Sequence, residues 1–501
     1  MSAAHHRRRR LAVTLLTVAV IAAASLLAAG SGPTPLSVQA TVTGTAAGAP
    51  LPAGFLGFSL EYSAIHAYLG RSPRALNPVF LTLIRQLNPG QAPILRIGGD
   101  STDHTWWPLP GLVEPAGVSY TLTPDWLATV HAAAARLGAR LILGVNLAAD
   151  NPQVAAAEAR ALVSGVGGQY VAALEIGNEP DVYTRFAWYR TRAGQVGFAR
   201  GRGWNEEAFS AEFDRWAAAL PAVPLAGPAD AYATWMANLG RFLATAPRLG
   251  IVTFHRYPLR GCGAEATGPL APTITHLLDR ASSRGLAASV APFAQVAHAD
   301  GRPLRVDELN SASCGGRAGV SDTFASALWV LDTLFAMARA GVDGVNLHTL
   351  PGAAYAPFRF SDRHGHWSGT VSPLYYGMLM FSRAFPPGAR LLAAHASRSA
   401  LRIWATRGAH GTVRTVLIND SATTPLRVRL ALPAPTHASL TLETLTAPGL
   451  TARAGVRLGG RTFALHTPTG RLASPVLTGL RLRHGLVSLT VPPASAALLT
   501  G

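Results

Sequence analysis

The 501-residue sequence contains no lysine: all 43 of its basic residues are arginine. Acid is scarce too, with 26 Asp and Glu against those arginines, so the formal charge is +17. Only 14% of residues are charged and 49% are apolar, which excludes a disordered or fibrous protein. A nucleic-acid binder would gather its cations into a stripe, yet apart from Arg7 to Arg10 the arginines are scattered singly through apolar, periodic segments. The charge reads as compositional drift, compatible with an acidic small substrate without demanding one. Cysteine is nearly absent, with Cys262 and Cys314 the two examples, and the length gives room for a core that needs no covalent staples. No glycine-rich phosphate loop follows the first apolar strand, and Gly165 to Gly168 is a helix stop ahead of a later one, which disfavours a dinucleotide-binding open sheet. No two metal ligands stand at metal-site spacing on one helix, so neither a metal nor a cofactor is expected.

What is present begins with an address. His5 to Arg10 form a basic region, and Leu11 to Ala29 are uncharged and mostly apolar, about the length at which signal peptides and signal anchors converge. Residues 1–30 therefore predict an exported, extracellular or cell-surface body, with membrane contact only through this segment if it stays uncut. No cysteine follows the apolar run, which argues against a lipid anchor. Export makes one disulfide between Cys262 and Cys314 the expectation, with two unrelated thiols as the alternative.

From about residue 51 to 385 short apolar runs alternate with longer helical patterns, the mark of βαβ units. Eight strands are predicted: Phe55 to Leu60, Ile94 to Ile97, Leu141 to Val145, Val171 to Ile176, Pro224 to Gly227, Ile251 to His255, Leu304 to Val306 and Val345 to Leu347. Helical patterns lie between them, among them Pro124 to Leu137, Thr234 to Thr245, Pro272 to Arg284 and Asp322 to Ala340. Eight such units match a (β/α)8 TIM barrel carrying insertions. From 386 to 501 the texture changes to short alternating segments between Pro and Gly, which reads as an antiparallel β-sandwich. Ser37 to Thr43 alternates in the same way, so residues 31–50 are expected to supply an N-terminal strand to that sandwich.

Residues at the carboxyl ends of barrel strands point into one bowl. Glu61, Asp100, Asn146, Asn178, Glu179, His255, Tyr257, Glu308 and His348 all stand there. Glu179 in LEIGNEPD and Glu308 in RVDELNSASCGG form a pair suited to glycoside hydrolysis, which needs two carboxyl groups flanking one bond. A surface carboxylate in a turn is the alternative for Glu179. Strand alternation sends Asp307 to the side opposite Glu308, so Glu308 is expected at the bowl and Asp307 in a structural role. Asn178 is placed to reach a sugar hydroxyl beside the reacting carbon, and Tyr257 to donate to an ionised glutamate. Trp106 and Trp107 are candidate stacking faces for sugar, with packing under a loop as the alternative. Arg96 and Arg305 are expected to neutralise buried carboxylates.

The ordered set FLGFSLEY, LRIGGDS, LEIGNEPD, VTFHRYP, DELNSASCGG, GVSDTFASALWVLD, GVNLHT and VSPLYYGMLMF resembles glycoside hydrolase family 79, the β-glucuronidase and heparanase group of clan A, from first barrel strand to last. The resemblance implies a retaining β-glycosidase with Glu179 as acid/base and Glu308 as nucleophile, and a sandwich assembled from both chain ends. It also implies Glu61 and Asp100 as sugar-hydroxyl contacts. In the family the uronate carboxylate is held by a tyrosine and glycine amides after the nucleophile; here Ser313 stands at the tyrosine position, followed by Cys314, Gly315 and Gly316. Backbone recognition through Gly315 and Gly316 survives that change, and the tyrosine contact does not. The substrate implied is thus a β-linked carbohydrate, with a neutral sugar or a noncatalytic carbohydrate-binding surface protein as the alternatives. Cys262 and Cys314 fall on the loops after the sixth and seventh strands, which are neighbours in a barrel. The oligomeric state is not legible.

Overall fold

The computed structural model describes residues 33–433 and 439–501. The expected address segment, residues 1–30, lies outside the described residues, among which no helix is long and apolar enough to cross a membrane.

Helix starts follow the local chemistry. Helices α1 (Pro78–Leu87), α2 (Pro124–Leu137) and α3 (Pro152–Val166) each open with proline behind a capping side chain. Asn77 accepts from the Val79 and Phe80 amides, Thr123 from Trp126 and Asn151 from Gln153, satisfying donors that the first turn leaves free. Four later helices matter below: α4 (Glu206–Ala219), α5 (Leu239–Thr245), α6 (Phe324–Arg339) and α7 (Pro373–Ala384). Two expected helices are broken. Thr234 to Thr245 divides into Ala233–Met236 and α5, and Pro272 to Arg284 into Ile274–Leu278, a 3-10 turn and Arg284–Ala288. In the second, Asp279 is extended and its side chain accepts from the Ala281 amide at 2.7 Å, so it restarts the chain as a cap instead of continuing the helix.

Strand β1 (Leu36–Pro50) precedes eight parallel strands: β2 (Leu56–Glu61), β3 (Ile94–Gly98), β4 (Arg140–Val145), β5 (Val171–Ile176), β6 (Leu225–Asp230), β7 (Leu249–Arg256), β8 (Leu304–Leu309) and β9 (Gly344–Thr349). They close on themselves in the order β6-β7-β8-β9-β2-β3-β4-β5, a TIM barrel. Strand β8 carries one extra residue. Val306 pairs with Val345 but Leu309 with Leu347, and on the other side Thr253 pairs with Arg305 but His255 with Glu308. This bulge cancels the expected alternation: Asp307 does not leave the barrel interior, and its Oδ2 lies 3.2 Å from the buried Arg96 Nε.

The second layer is a ten-stranded sheet built mainly from β10 (Arg390–Ala396), β11 (Arg402–Arg407), β12 (Val413–Asn419), β13 (Leu426–Ala431), β14 (Ser439–Thr446), β15 (Leu486–Val491) and β16 (Ser495–Thr500). β1 joins it, antiparallel to β10 and parallel to β13. The sheet folds over a core of its own that includes Val38, Ile403, Leu417, Val428 and Leu499. The alternate residues Trp404, Val416 and Ile418 instead enter the barrel's core, as a two-residue period requires. Trp404 stacks on Phe335 of α6, and its indole donates to Asp332 at 2.7 Å. That contact fastens the sheet to the barrel.

Candidate active site

A cavity of about 1020 Å³ opens at the carboxyl ends of the barrel strands. Its wall includes Glu61, Asp100, Asn178, Glu179, Tyr257, Cys262, Glu308, Ser313, Cys314 and Gly315. Gly316 is not on that wall: it lies behind it, where an added Cβ would meet Ser321 Oγ at 2.7 Å and the Tyr355 ring at 3.0 Å.

Glu179, just past β5, and Glu308, near the end of β8, converge. One carboxylate oxygen of each and a ring nitrogen of His255 lie within 4.8 Å of one another. Their surroundings differ. Glu308 is 7% exposed; Tyr257 donates to its Oε1 at 2.6 Å, and Arg96 Nη1 to its Oε2 at 2.9 Å. Burial alone would raise its pKa, but His348, His255, Arg96 and the Tyr257 hydroxyl outweigh burial and hold it at about 2. Among the described residues the Glu179 carboxylate has a single close partner, the His255 Nδ1 at 2.9 Å, and its side chain is more open to the cavity. His255 is itself buried, which would lower its pKa, but Glu308 and the hydrogen bond to Glu179 raise it to about 9. The ring is therefore a cation at neutral pH, donating from Nδ1 to Glu179.

Beneath this pair lies a buried layer of charge. Arg96 donates from Nε to Glu175 at 2.6 Å, from Nη2 to Asn178 at 2.9 Å and from Nη1 to Ser59 at 3.1 Å. No donor hydrogen in the described structure reaches Glu175 Oε1 or either oxygen of Asp307. Burial and the Glu175 charge push Asp307 well above the usual carboxylate range, while Arg96 outweighs burial and holds Glu175 below it. Arg96 thus neutralises carboxylates as expected. Arg305 does not; it bonds Asn346 and the carbonyls of Gly54 and Phe55, bracing the far end of the barrel.

The polar side of the bowl holds Asp100, Asn178, Glu61 and His348. Asn178 Nδ2 approaches Asp100 Oδ1 at 3.3 Å, and its amide donates to Asp103, a buried hub that also takes the Tyr183 hydroxyl at 2.6 Å. Asp100 faces the cavity, yet its enclosure and the neighbouring Glu61, Glu179 and Glu308 charges raise it to about 7. Glu61 accepts from the Ser101 amide at 2.8 Å and sits 3.4 Å from His348 Nε2. Asn146 is turned away from the cavity, tied to the Asp103 and Thr105 carbonyls. Trp106 and Trp107 are not on the cavity wall; Trp106 is 6% exposed, its indole bonded to Thr121.

Cys262 and Cys314 are disulfide-bonded, with Cα atoms 6.0 Å apart, and join the loops after β7 and β8. The Ser313 hydroxyl turns toward the Gly261 amide at 3.4 Å. No described residue accepts a hydrogen bond from the backbone amides of Cys314 and Gly315. Sequence reasoning missed Tyr355, which lines the cavity beside Tyr257 with ring centroids 6.5 Å apart, and Trp188, whose indole donates to the Asp103 carbonyl at 2.8 Å. Tyr355 sits on a loop and Trp188 on the short strand Ala187–Arg190 of an insertion; the only signal was their position after the eighth and fourth barrel strands.

Two trios present ligand atoms close enough together for a cation: Glu175 with His255 and Asp307, and Glu179 with His255 and Glu308. Both include the protonated His255, and Arg96 already meets Glu175, Asp307 and Glu308, so a metal there would meet like charge.

No protein-family model matches the chain. A curated β-glucuronidase of Neurospora crassa is 24% identical over 408 residues, 72% of this chain and 69% of its own length. Among solved structures, a 4-O-α-L-rhamnosyl-β-D-glucuronidase from Fusarium oxysporum 12S matches with a TM-score of 0.69 at 18% identity, over 92% of this chain and 100% of that one. A GH51 arabinofuranosidase from Xanthomonas axonopodis pv. citri matches with a TM-score of 0.62 at 15% identity, over 93% and 99% of the two chains. These likenesses, over barrel and sheet together, support a glycoside hydrolase.

Proposed function

We propose that the protein is an exported, retaining β-glycosidase of family 79 that acts on β-linked uronic-acid glycosides. The observation that carries the reading is the approach of one carboxylate oxygen of Glu179 to one of Glu308, within 4.8 Å, which favours the closer of the two spacings that glycosidases use. Retaining enzymes hold this pair about 5–5.5 Å apart, whereas inverting ones leave about 6.5–9.5 Å for a water. Glu308, ionised and fixed by Tyr257 and Arg96, attacks the anomeric carbon. Glu179 gives its proton to the leaving oxygen, a glycosyl ester forms on Glu308, and Glu179 then takes a proton from the water that cleaves the ester. His255, donating to Oε1 of Glu179, leaves the other oxygen to carry the moving proton. Arg7 to Arg10, the apolar run after them and the disulfide support export.

For the uronate, the amides of Cys314 and Gly315 and the hydroxyl of Tyr355 make the carboxylate site, Tyr355 supplying from the loop after β9 the contact that Ser313 lacks. The test pairs sugar and mechanism. Aryl β-glucuronide should be cleaved in preference to aryl β-glucoside. Glu308→Ala should lose turnover and, with azide, yield the α-azide, while Glu179→Ala should yield the β-azide. The reverse stereochemistry would exchange the two roles, and preference for the glucoside would leave the mechanism and remove the uronate.

A further inference from the structure

The two sides of the cavity differ in chemistry. One carries Glu61, Asp100, Asn178 and His348, a set suited to sugar hydroxyls. The other, reached past Glu179, is aromatic. Phe186 immediately precedes the strand Ala187–Arg190 and Trp188 lies within it, and both side chains line the cavity. Trp188 is a built platform. Its indole is pinned to the Asp103 carbonyl, and an added Cβ at Gly117 would come within 2.2 Å of its ring, so the backbone there is packed against it. Phe186 is 60% exposed and stacks on no other ring among the described residues. A single exposed phenylalanine is unremarkable. An exposed phenylalanine beside a fixed tryptophan at the mouth of a candidate active site is not. Tyr232 closes this wall, its ring within 5.3 Å of the Arg185 guanidinium and 5.0 Å of the Arg260 guanidinium.

Resting on the reading of Glu179 as the acid that protonates the leaving group, we infer that this wall is an aglycone subsite for a planar aromatic aglycone, with Trp188 and Phe186 as its stacking faces. Phe186, Trp188 and their small neighbours Ala148, Val182 and Ala231 offer a flat ring a largely apolar surface, whereas a second sugar would have to turn to His104, Tyr232, Arg260 and Glu265, which also line the cavity. At about 1020 Å³ the cavity is at the upper end of the roughly 300–1,000 Å³ typical of drug-sized ligands, enough for sugar and ring together.

The test compares 4-methylumbelliferyl β-glucuronide with β-glucuronyl fluoride, which has the same sugar and no aglycone ring. In Phe186→Ala and Trp188→Ala the ratio of kcat/KM for the aryl substrate to that for the fluoride should fall roughly tenfold, as loss of one stacked ring predicts. Trp188→Phe, which keeps a ring, should recover most of it. A ratio that stays constant in both alanine variants overturns the inference, as does faster cleavage of glucuronide oligosaccharides than of the aryl substrate by the native protein. A second arm measures binding of free 4-methylumbelliferone by calorimetry. Weaker binding in Phe186→Ala supports the subsite, and binding equal to that of the native protein refutes it. That arm reads the subsite even if the native protein cleaves neither glucuronide, a result that would refute the uronate reading alone.

Discussion

Replacing Tyr257 by phenylalanine removes one hydroxyl and tests how Glu308 is kept ionised. Glu308 falls from an ordinary 4.5 to about 2 against the opposing effect of burial, a net stabilisation of the charged form of roughly 3 kcal/mol at 1.36 kcal/mol per pH unit. The 2.6 Å bond from Tyr257 is one of four contributions, beside His348, His255 and Arg96. A hydrogen bond to a charged group contributes about 1.5–3 kcal/mol, so its loss should raise the Glu308 pKa by roughly one to two pH units, still well below neutrality. The acid limb of kcat/KM on an aryl β-glucuronide should then rise from near pH 2 toward pH 3–4, within reach of a stopped assay, while activity above about pH 6 keeps its shape. Stability should respond with the same sign. A depressed carboxylate stabilises the fold above its unfolded pKa and loses that contribution as pH falls through its folded pKa, so Tyr257→Phe should lose it at higher pH than the native protein. An acid limb that does not move would mean either that the rate does not follow Glu308 or that His348, His255 and Arg96 alone hold it, and the account given for this carboxylate would be wrong.

Three further outcomes follow from the same contacts. His255 is raised from 6.5 to about 9, so it should stabilise the fold by about 3 kcal/mol below pH 6.5 and lose this as pH rises through 9; urea titrations across that range should slope in the native protein and flatten in His255→Gln. Arg96→Met leaves Glu175 and Glu308 buried without their cation and should cost about 3–5 kcal/mol at neutral pH, less in acid where the carboxyls are protonated; an equal loss at both pH values would show that packing, not charge, is what Arg96 supplies. The disulfide closes a separation of 52 residues, for which loop-closure entropy predicts about 4 kcal/mol. Reductant should therefore lower the Tm and, because the bond joins two cavity walls, raise KM; identical behaviour in both conditions would make the bond dispensable.

Much of this architecture was legible because its elements obey local rules. The eight barrel strands are short apolar runs, and α1 to α3 announce themselves through Asn77, Thr123 and Asn151 followed by proline. Glu179 and Glu308 were legible for a related reason: each ends an apolar run at the face where barrels gather function. The failures have physical causes as well. Strand alternation misplaced Asp307 because a bulge, which no propensity registers, lies between Val306 and Leu309. Trp106 and Trp107 looked like a sugar platform because aromatic character carries no information about facing; Trp188, on an irregular insertion after β5, is the one that lines the cavity. Gly316 follows β8 at a plausible distance, but the turn through Cys314 and Gly315 carries it behind the wall.

Three of the places where local rules break stand at or beside the cavity, and those breaks are held in place by their surroundings. Glu179, Ala229 and Cys314 all occupy the left-handed region, with φ of 50°, 59° and 56°, a backbone state costing about 1–3 kcal/mol for a residue with a side chain. Each is held by its neighbours. The Glu179 amide donates to the Ala229 carbonyl at 3.1 Å, so the two strained residues fix each other across β5 and β6. Two residues on, Asp181 accepts from the Ala231 and Tyr232 amides at 3.0 and 2.8 Å, locking the same two chain segments a second time. Cys314 is held by its disulfide and by the adjoining Ser313 amide on the Leu259 carbonyl. In the acid/base role proposed for Glu179 a carboxyl group gives up and regains a proton without changing place, and such a mount suits it: the more of its backbone that is fixed by other strands, the less of the reaction's free energy is lost in reordering it. Glu308 obtains the same result by a different route, its carboxylate gripped by Tyr257 and Arg96 while the bulge lets Asp307 share the interior beside Arg96.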